Sequence, residues 1–248
     1  MKRRPWGTSL IELLVYMSLS LVLLTGFLKL FRAFRPITSE TEFSYMLSQE
    51  VEERIDALRS QLTETALGAI LIDSAGSPSL SFPTFRDPSG KPIFSEQGSP
   101  AWQGQVYYVL ETGPGQTGNL VSWHDPTPLS VPIPASKPPL PVDPKTRHVL
   151  LSGVVLPNAK LDGLSGYTPS ADGGFHCEFL RRQAASGGQY TFVGSTFSPA
   201  AVTAGRASGL NVNGNSGLIQ VTLQVFQNAA ATGKPNYLSI SLRIRPRY

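Results

Sequence analysis

"KRRPWGTSLIELLVYMSLSLVLLTGFLKLF", residues 2 to 31, decides how the rest of the chain is read. Leu13 to Leu28 carries no charged side chain, and the longer run from Leu10 to Leu28 is broken by Glu12 alone. At about 1.5 Å per residue, a helix of that length nearly crosses a hydrocarbon layer of about 30 Å. Lys29 and Arg32 close the run on one side, and Lys2, Arg3 and Arg4 on the other. Clustered Lys and Arg beside a span stay in the cytoplasm. These leader charges therefore predict a cytoplasmic N-terminus, with residues 36 to 248 beyond the cytoplasmic (inner) membrane. Glu12 is the anomaly, because a carboxylate in hydrocarbon costs roughly 2.5 to 3.5 kcal/mol even on insertion scales.

Two ordinary explanations leave Glu12 unused. A secretory signal peptide ends in small residues at a cleavage site after its apolar core. Here Phe27, Lys29, Phe31 and Phe34 occupy that region. A plain signal anchor has no use for the carboxylate either. The stretch "GTSLIELLV", residues 7 to 15, resembles the class III signal of type IV pilins and type II secretion pseudopilins. Its features are a short basic leader ending in Gly, then a mature chain whose fifth residue is Glu. Gly7 matches the last leader residue, Thr8 the first mature residue and Glu12 the fifth. Thr8 departs from the Phe usual at that position.

The resemblance implies a definite organisation. Prepilin peptidase would cut between Gly7 and Thr8, and the new Thr8 amine would be the N-methylation site. Glu12 would meet the N-terminal amine of a neighbouring subunit during filament assembly, a pairing that makes its burial tolerable. The implied partners are other pilins or pseudopilins, the peptidase, the inner-membrane assembly platform and the membrane itself. The implied divisions are a leader (1–7), a transmembrane half of the first helix (8–35), its amphipathic half (36–67) and a β-rich head (68–248). The expected fold class is α+β, the pilin lollipop, with a long helix packed on a mainly antiparallel head.

The residues beyond the span support that reading independently. Phe43, Leu47, Val51, Ile55, Leu58 and Leu62 recur at steps of three and four, the stripe of a helix with one buried face. Glu50 and Arg54 stand at i,i+4 spacing on the opposite side. A helix from about Ser9 to Thr65 follows, with Pro36 removing one hydrogen bond and kinking or loosening it. After Gly68 the chain reads as short strands between turn signals: 69–73, 80–85, 105–111, 118–124, 149–161, 175–182, 217–226 and 237–246. The pairs 105–111 with 118–124, and 217–226 with 237–246, read as hairpins. Residues 125–146 are proline-dense and read as an extended surface loop, and 183–216 as a second irregular stretch. The order of these segments resembles the heads of J-type minor pseudopilins and PilW-like minor pilins, with Ser122 standing where that group often has Arg.

Composition narrows the function classes. Only 15% of residues are charged, while Gly (23) and Pro (21) are plentiful, which suits a turn-rich β domain rather than a helical bundle. A net charge of +4 is too small for a nucleic-acid footprint without a denser patch. The single cysteine, Cys177, forms no intrachain disulfide, and strand alternation turns it away from His176. No GxSxG, HExxH or P-loop pattern occurs, so no enzyme, cofactor or metal is expected. Asp87, Asp162 and Asp172 are too sparse for a calcium loop. The alternative is a pilin-like binding module whose head captures DNA or a surface ligand through Arg181, Arg182, Arg243, Arg245 and Arg247.

Overall fold

One helix, α1 (Leu10–Thr63), carries both apolar patterns of the N-terminal quarter of the chain. The computed structural model describes residues 10–66, 69–73, 78–87, 89–130, 146–161, 164, 167, 169–171, 173–184, 190–195, 215–228 and 235–247. For 35–40, 181–184, 190–195 and 215–217 it describes the backbone alone. The helix continues unbroken through Pro36, so the proline costs a hydrogen bond without ending the element. Two compact units divide the chain within α1, one comprising Met1–Leu47 with Asn228–Lys234, the other Ser48–Gln227 with Pro235–Tyr248.

In the second unit the helical stripe is core. Val51, Ile55, Leu58 and Leu62 are buried, and Ile55 and Leu58 meet Tyr108, Leu120, Phe175, Val221 and Leu223 of the sheet across a narrow cleft. Arg54 and Glu50 are exposed. The ion pair of this stretch instead joins Asp56 and Arg59, at 4.0 Å. The helix ends by satisfying its last carbonyls locally and at long range. Glu64 N–H donates to Gln61 O, Thr65 N–H to Leu62 O, and Arg247 N–H to Thr63 O at 3.0 Å. Beyond it, Ala66 and Ala69 pack with Phe85, Trp102 and Leu129. Arg86 holds Glu64 through two bonds of 2.6 Å.

The sheet contains nine strands among the described residues: β1 (Leu71–Asp73), β2 (Ser79–Thr84), β3 (Gly104–Thr112), β4 (Thr117–Asp125), β5 (His148–Val155), β6 (Phe175–Ala184), β7 (Tyr190–Ser195), β8 (Asn215–Asn228) and β9 (Pro235–Ile244). Their order is β1-β2-β3-β4-β5-β8-β6-β7, with β9 also paired to β8. The expected hairpin of β3 and β4 forms in register from Gln105↔Asp125 to Thr112↔Gly118, and the expected partnership of β8 with β9 forms too. Alternation sets the faces. Tyr108, Leu110 and Leu120 lie on the helix side, while Tyr107, Val121 and Trp123 make a separate buried cluster on the other. On β8, Ile219, Val221, Leu223 and Val225 are all buried.

Three differences from the sequence reading have local causes. The run read as a strand over 149–161 stops at Val155, because Pro157 lacks an N–H and Asn158 takes a left-handed φ of 57°. Within β5, Gly153 is the extra residue between the pairs Gly118↔Val154 and Asn119↔Ser152. Its φ is +80°, the conformation a bulge reserves for glycine. The stretch read as irregular over 183–216 contains the end of β6, all of β7 and the start of β8. Tyr190, Phe192 and Val193 supply the strand, in a segment whose Gly, Ser and Asn content hides it. Of the proline-dense loop, residues 131–145 lie outside the described residues. Its described start is anchored by Leu129 N–H on Trp102 O.

The helix stripe should therefore be worth far more than the helix surface. Leu62→Ala, at a site with no exposed area, is expected to cost about 2–5 kcal/mol, and Arg59→Ala under about 0.5 kcal/mol. Urea unfolding of the detergent-solubilised chain, followed by tryptophan fluorescence, checks both.

Candidate functional site

Leu10–Phe34 of α1 has a mean hydropathy of 2.0 and no buried residue. Its large apolar side chains are 48% exposed at Leu28 to 80% at Leu10, and none of them is buried by the described residues. Leaving one such side chain in water rather than burying it costs about 1.5–3 kcal/mol, so the whole surface represents tens of kcal/mol. Soluble monomers do not expose contiguous apolar surface on that scale. The segment is a membrane span by length and composition: twenty-five residues rise about 37 Å, more than the hydrocarbon layer. Lys29 and Arg32 lie near its end, where long stems let their charges reach an interface.

The polar groups inside this segment are few and placed. Ser18 Oγ donates to Val15 O at 2.9 Å, and Thr25 Oγ1 lies 2.9 Å from both Leu21 O and Val22 O. These hydroxyls are satisfied by their own helix and need no outside partner. Glu12 is exposed in the first turn, where the dipole of the helix favours a carboxylate. Lys2, Arg3, Arg4, Gly7 and Thr8 lie outside the described residues.

Among its described residues the head offers a sizeable cavity of about 450 Å³, lined among others by Gln61, Arg86, Tyr108, Ser122, His124 and His148. Most of its polar groups are already engaged. Tyr108 Oη donates to Gln61 Oε1 at 2.7 Å, and Arg86 is held by Glu64. Asp87, on the rim, accepts from Ser89 N–H, Ser89 Oγ and Lys91 N–H, so it closes a turn. His124 Nε2 is buried and has no hydrogen-bond partner among the described residues. It rests over Gly104, where an added Cβ would sit 2.7 Å from Nε2 and 2.0 Å from Asp125 O, so only glycine fits beneath the ring. No sequence pattern marks this arrangement.

Among the described residues, the remaining titratable candidates stand apart from this cavity. Burial pushes the Cys177 thiol up and keeps it protonated. His176 lies on the other face of β6, 3.6 Å from Glu178 Oε2. Among the described residues, no three of His, Cys, Asp and Glu gather where they could hold a metal. Asp162 and Asp172 lie outside those residues, as do the side chains of Arg181 and Arg182. Arg243, Arg245 and Arg247 are exposed.

No protein-family model, curated protein or solved structure matches the chain. The architecture is nevertheless pilin-like: an α+β fold in which a long, N-terminally apolar helix lays its amphipathic end on an antiparallel sheet.

Desolvation holds His124 below the usual imidazole range, opposed by the weaker pull of Asp125. The folded state thus prefers the neutral ring, and below about pH 6.5 the unfolded chain binds the extra proton more readily. Stability is expected to fall as pH drops through that value. The decline should be shallower in His124→Gln, as read from urea midpoints at about pH 7.5 and 5.5.

Proposed function

We propose that this chain is a minor pilin or pseudopilin, a non-enzymatic subunit that helps initiate or cap a type IV pilus or type II secretion pseudopilus. The observation that carries the reading is the uncovered apolar length of α1, continuous with a packed amphipathic end and interrupted near its start by Glu12. A simple anchor would need the first feature only. A subunit that moves from lipid into a helical bundle needs all three. Apolar surface suits both surroundings, the packed end carries the head, and a carboxylate sets register against a neighbour's amine.

In this reading prepilin peptidase cuts after Gly7 on the cytoplasmic side, while Lys2, Arg3 and Arg4 hold the leader there. Thr8 becomes the first residue, its amine accepting a methyl group and pairing with Glu12 of an adjacent subunit. A low-dielectric bundle makes that attraction strong, and only pairing makes the buried charges tolerable. The head lies outside the inner membrane, and the assembly platform and other pilins are its partners. For the alternative of a ligand-capturing head, Arg247 has a structural account. Its N–H caps α1, which brings its positive charge to the helix end that favours one.

Intact mass and N-terminal sequencing of membrane-extracted protein test the reading, in cells with and without prepilin peptidase. The expected chain begins at Thr8 only when the peptidase is present and is one methyl group heavier than the unmodified chain. A chain beginning at Met1 in both strains removes the filament reading. Glu12→Ala is expected to leave cleavage intact while abolishing incorporation into sheared filaments.

A further inference from the structure

The last strand and the outer face of the helix carry opposite charges that are only partly engaged within one copy. β9 pairs with β8, and no described strand pairs with its other side. Ser239, Ser241, Arg243, Arg245 and Arg247 are exposed along it, and Leu238, Ile240 and Leu242 are only half-buried. Arg243 is engaged by Gln220 Oε1 at 3.2 Å. Arg245 and Arg247 form no ion pair among the described residues, and both stand clear in solvent.

On α1, Val51, Ile55, Leu58 and Leu62 face the core. At about 100° per residue, Glu53 and Asp56 fall on the opposite side and Glu52 on its flank. Those three and Glu50 are exposed. Asp56 meets Arg59 only at 4.0 Å, in solvent. Between Ser48 and Thr63 the acids outnumber the arginines four to two.

We infer that the arginine-bearing end of β9 docks on the acidic outer face of α1 in a second copy, fixing an axial offset between subunits. The inference rests on the filament reading. Its geometry follows from the helix cap. Arg247 is tied to Thr63 at the end of α1, whereas Glu53 and Asp56 lie ten and seven residues earlier. Those separations are about 15 and 10 Å along the axis. Pairing one copy's Arg247 with another's Asp56 therefore sets the copies out of step by about 10 Å. The two surfaces differ, so the contact is heterologous. A heterologous contact with a translation along the axis propagates instead of closing into a dimer. Exposed ion pairs of this kind contribute about 0.2–1 kcal/mol each and are screened by salt. The contact selects the offset, while the apolar segments supply the affinity.

Cysteine cross-linking of full-length chains tests this, since native Cys177 is buried and out of reach. One copy carries Glu53→Cys and the other Arg245→Cys, and they are reconstituted together in phosphatidylethanolamine–phosphatidylglycerol vesicles with a short bis-maleimide. A control pair carries Leu21→Cys in both copies and reports bundling of the apolar segments. The expected result is an E53C–R245C product with little R245C–R245C product. Adding Arg247→Glu to the second copy should lower the yield about threefold, and Asp56→Arg in the first copy should restore it. Absence of the E53C–R245C product while the Leu21→Cys pair still cross-links overturns the inference alone. Absence of both removes the filament reading with it. A dominant R245C–R245C product would mark a closed, isologous contact and also overturn the inference.

Discussion

Everything in this protein answers to an apolar helical surface that the described residues leave exposed. Leu10–Phe34 has no buried residue, so its free energy is settled by surroundings rather than by folding. Lipid and a bundle of like helices are both apolar, and van der Waals packing and paired polar groups decide between them. The helix is prepared for either. Ser18 and Thr25 are bonded within it, so moving from one surrounding to the other breaks none of those bonds. Glu12 is the residue whose burial depends on what stands beside it.

The same helix organises the head by a different property. From Val51 to Leu62 its buried stripe supplies one wall of the core, and the sheet supplies the other through Tyr108, Leu120, Phe175, Val221 and Leu223. Polar contacts then pin the helix end to particular strands. Tyr108 reaches Gln61, Thr65 Oγ1 reaches Pro83 O, and Arg86 clasps Glu64. Pro83 sits past the end of three-residue β1, where β2 is an edge and a missing N–H is tolerated. One element thus serves two surroundings, its first half exposing apolar surface and its second half burying it.

Periodicity made most of this architecture readable in the sequence. Steps of three and four from Val51 to Leu62, and of two from Ile219 to Val225, report burial directly because one face of each element is inside. Helix α1, the β3–β4 hairpin and the β8–β9 pairing were legible on that basis. Strand β7 was not, because Tyr190 to Ser195 is short and set among Gly, Ser and Asn. The bulge at Gly153 and the His124–Gly104 contact are properties of register, which sequence spacing within one strand does not encode. The motif around Gly7, Thr8 and Glu12 stands out in the sequence for another reason. A charge in an apolar run is conspicuous because its cost is high, and its purpose is an expectation that rests on the resemblance to pilins.

The bond from Arg247 N–H to Thr63 O joins the two ends of the head. Nearly the whole domain must be synthesised before that bond can form, and Ile244 enters the core only three residues earlier in the chain. The β8–β9 pairing has the same requirement. During translation the apolar N-terminal segment emerges before the head, while the stripe at Val51, Ile55, Leu58 and Leu62 waits for partners that include Phe175, Val221 and Leu223, more than a hundred residues away. Contacts of such long sequence range fold slowly. The head therefore completes itself late, and the membrane segment is made before there is a finished domain for it to carry.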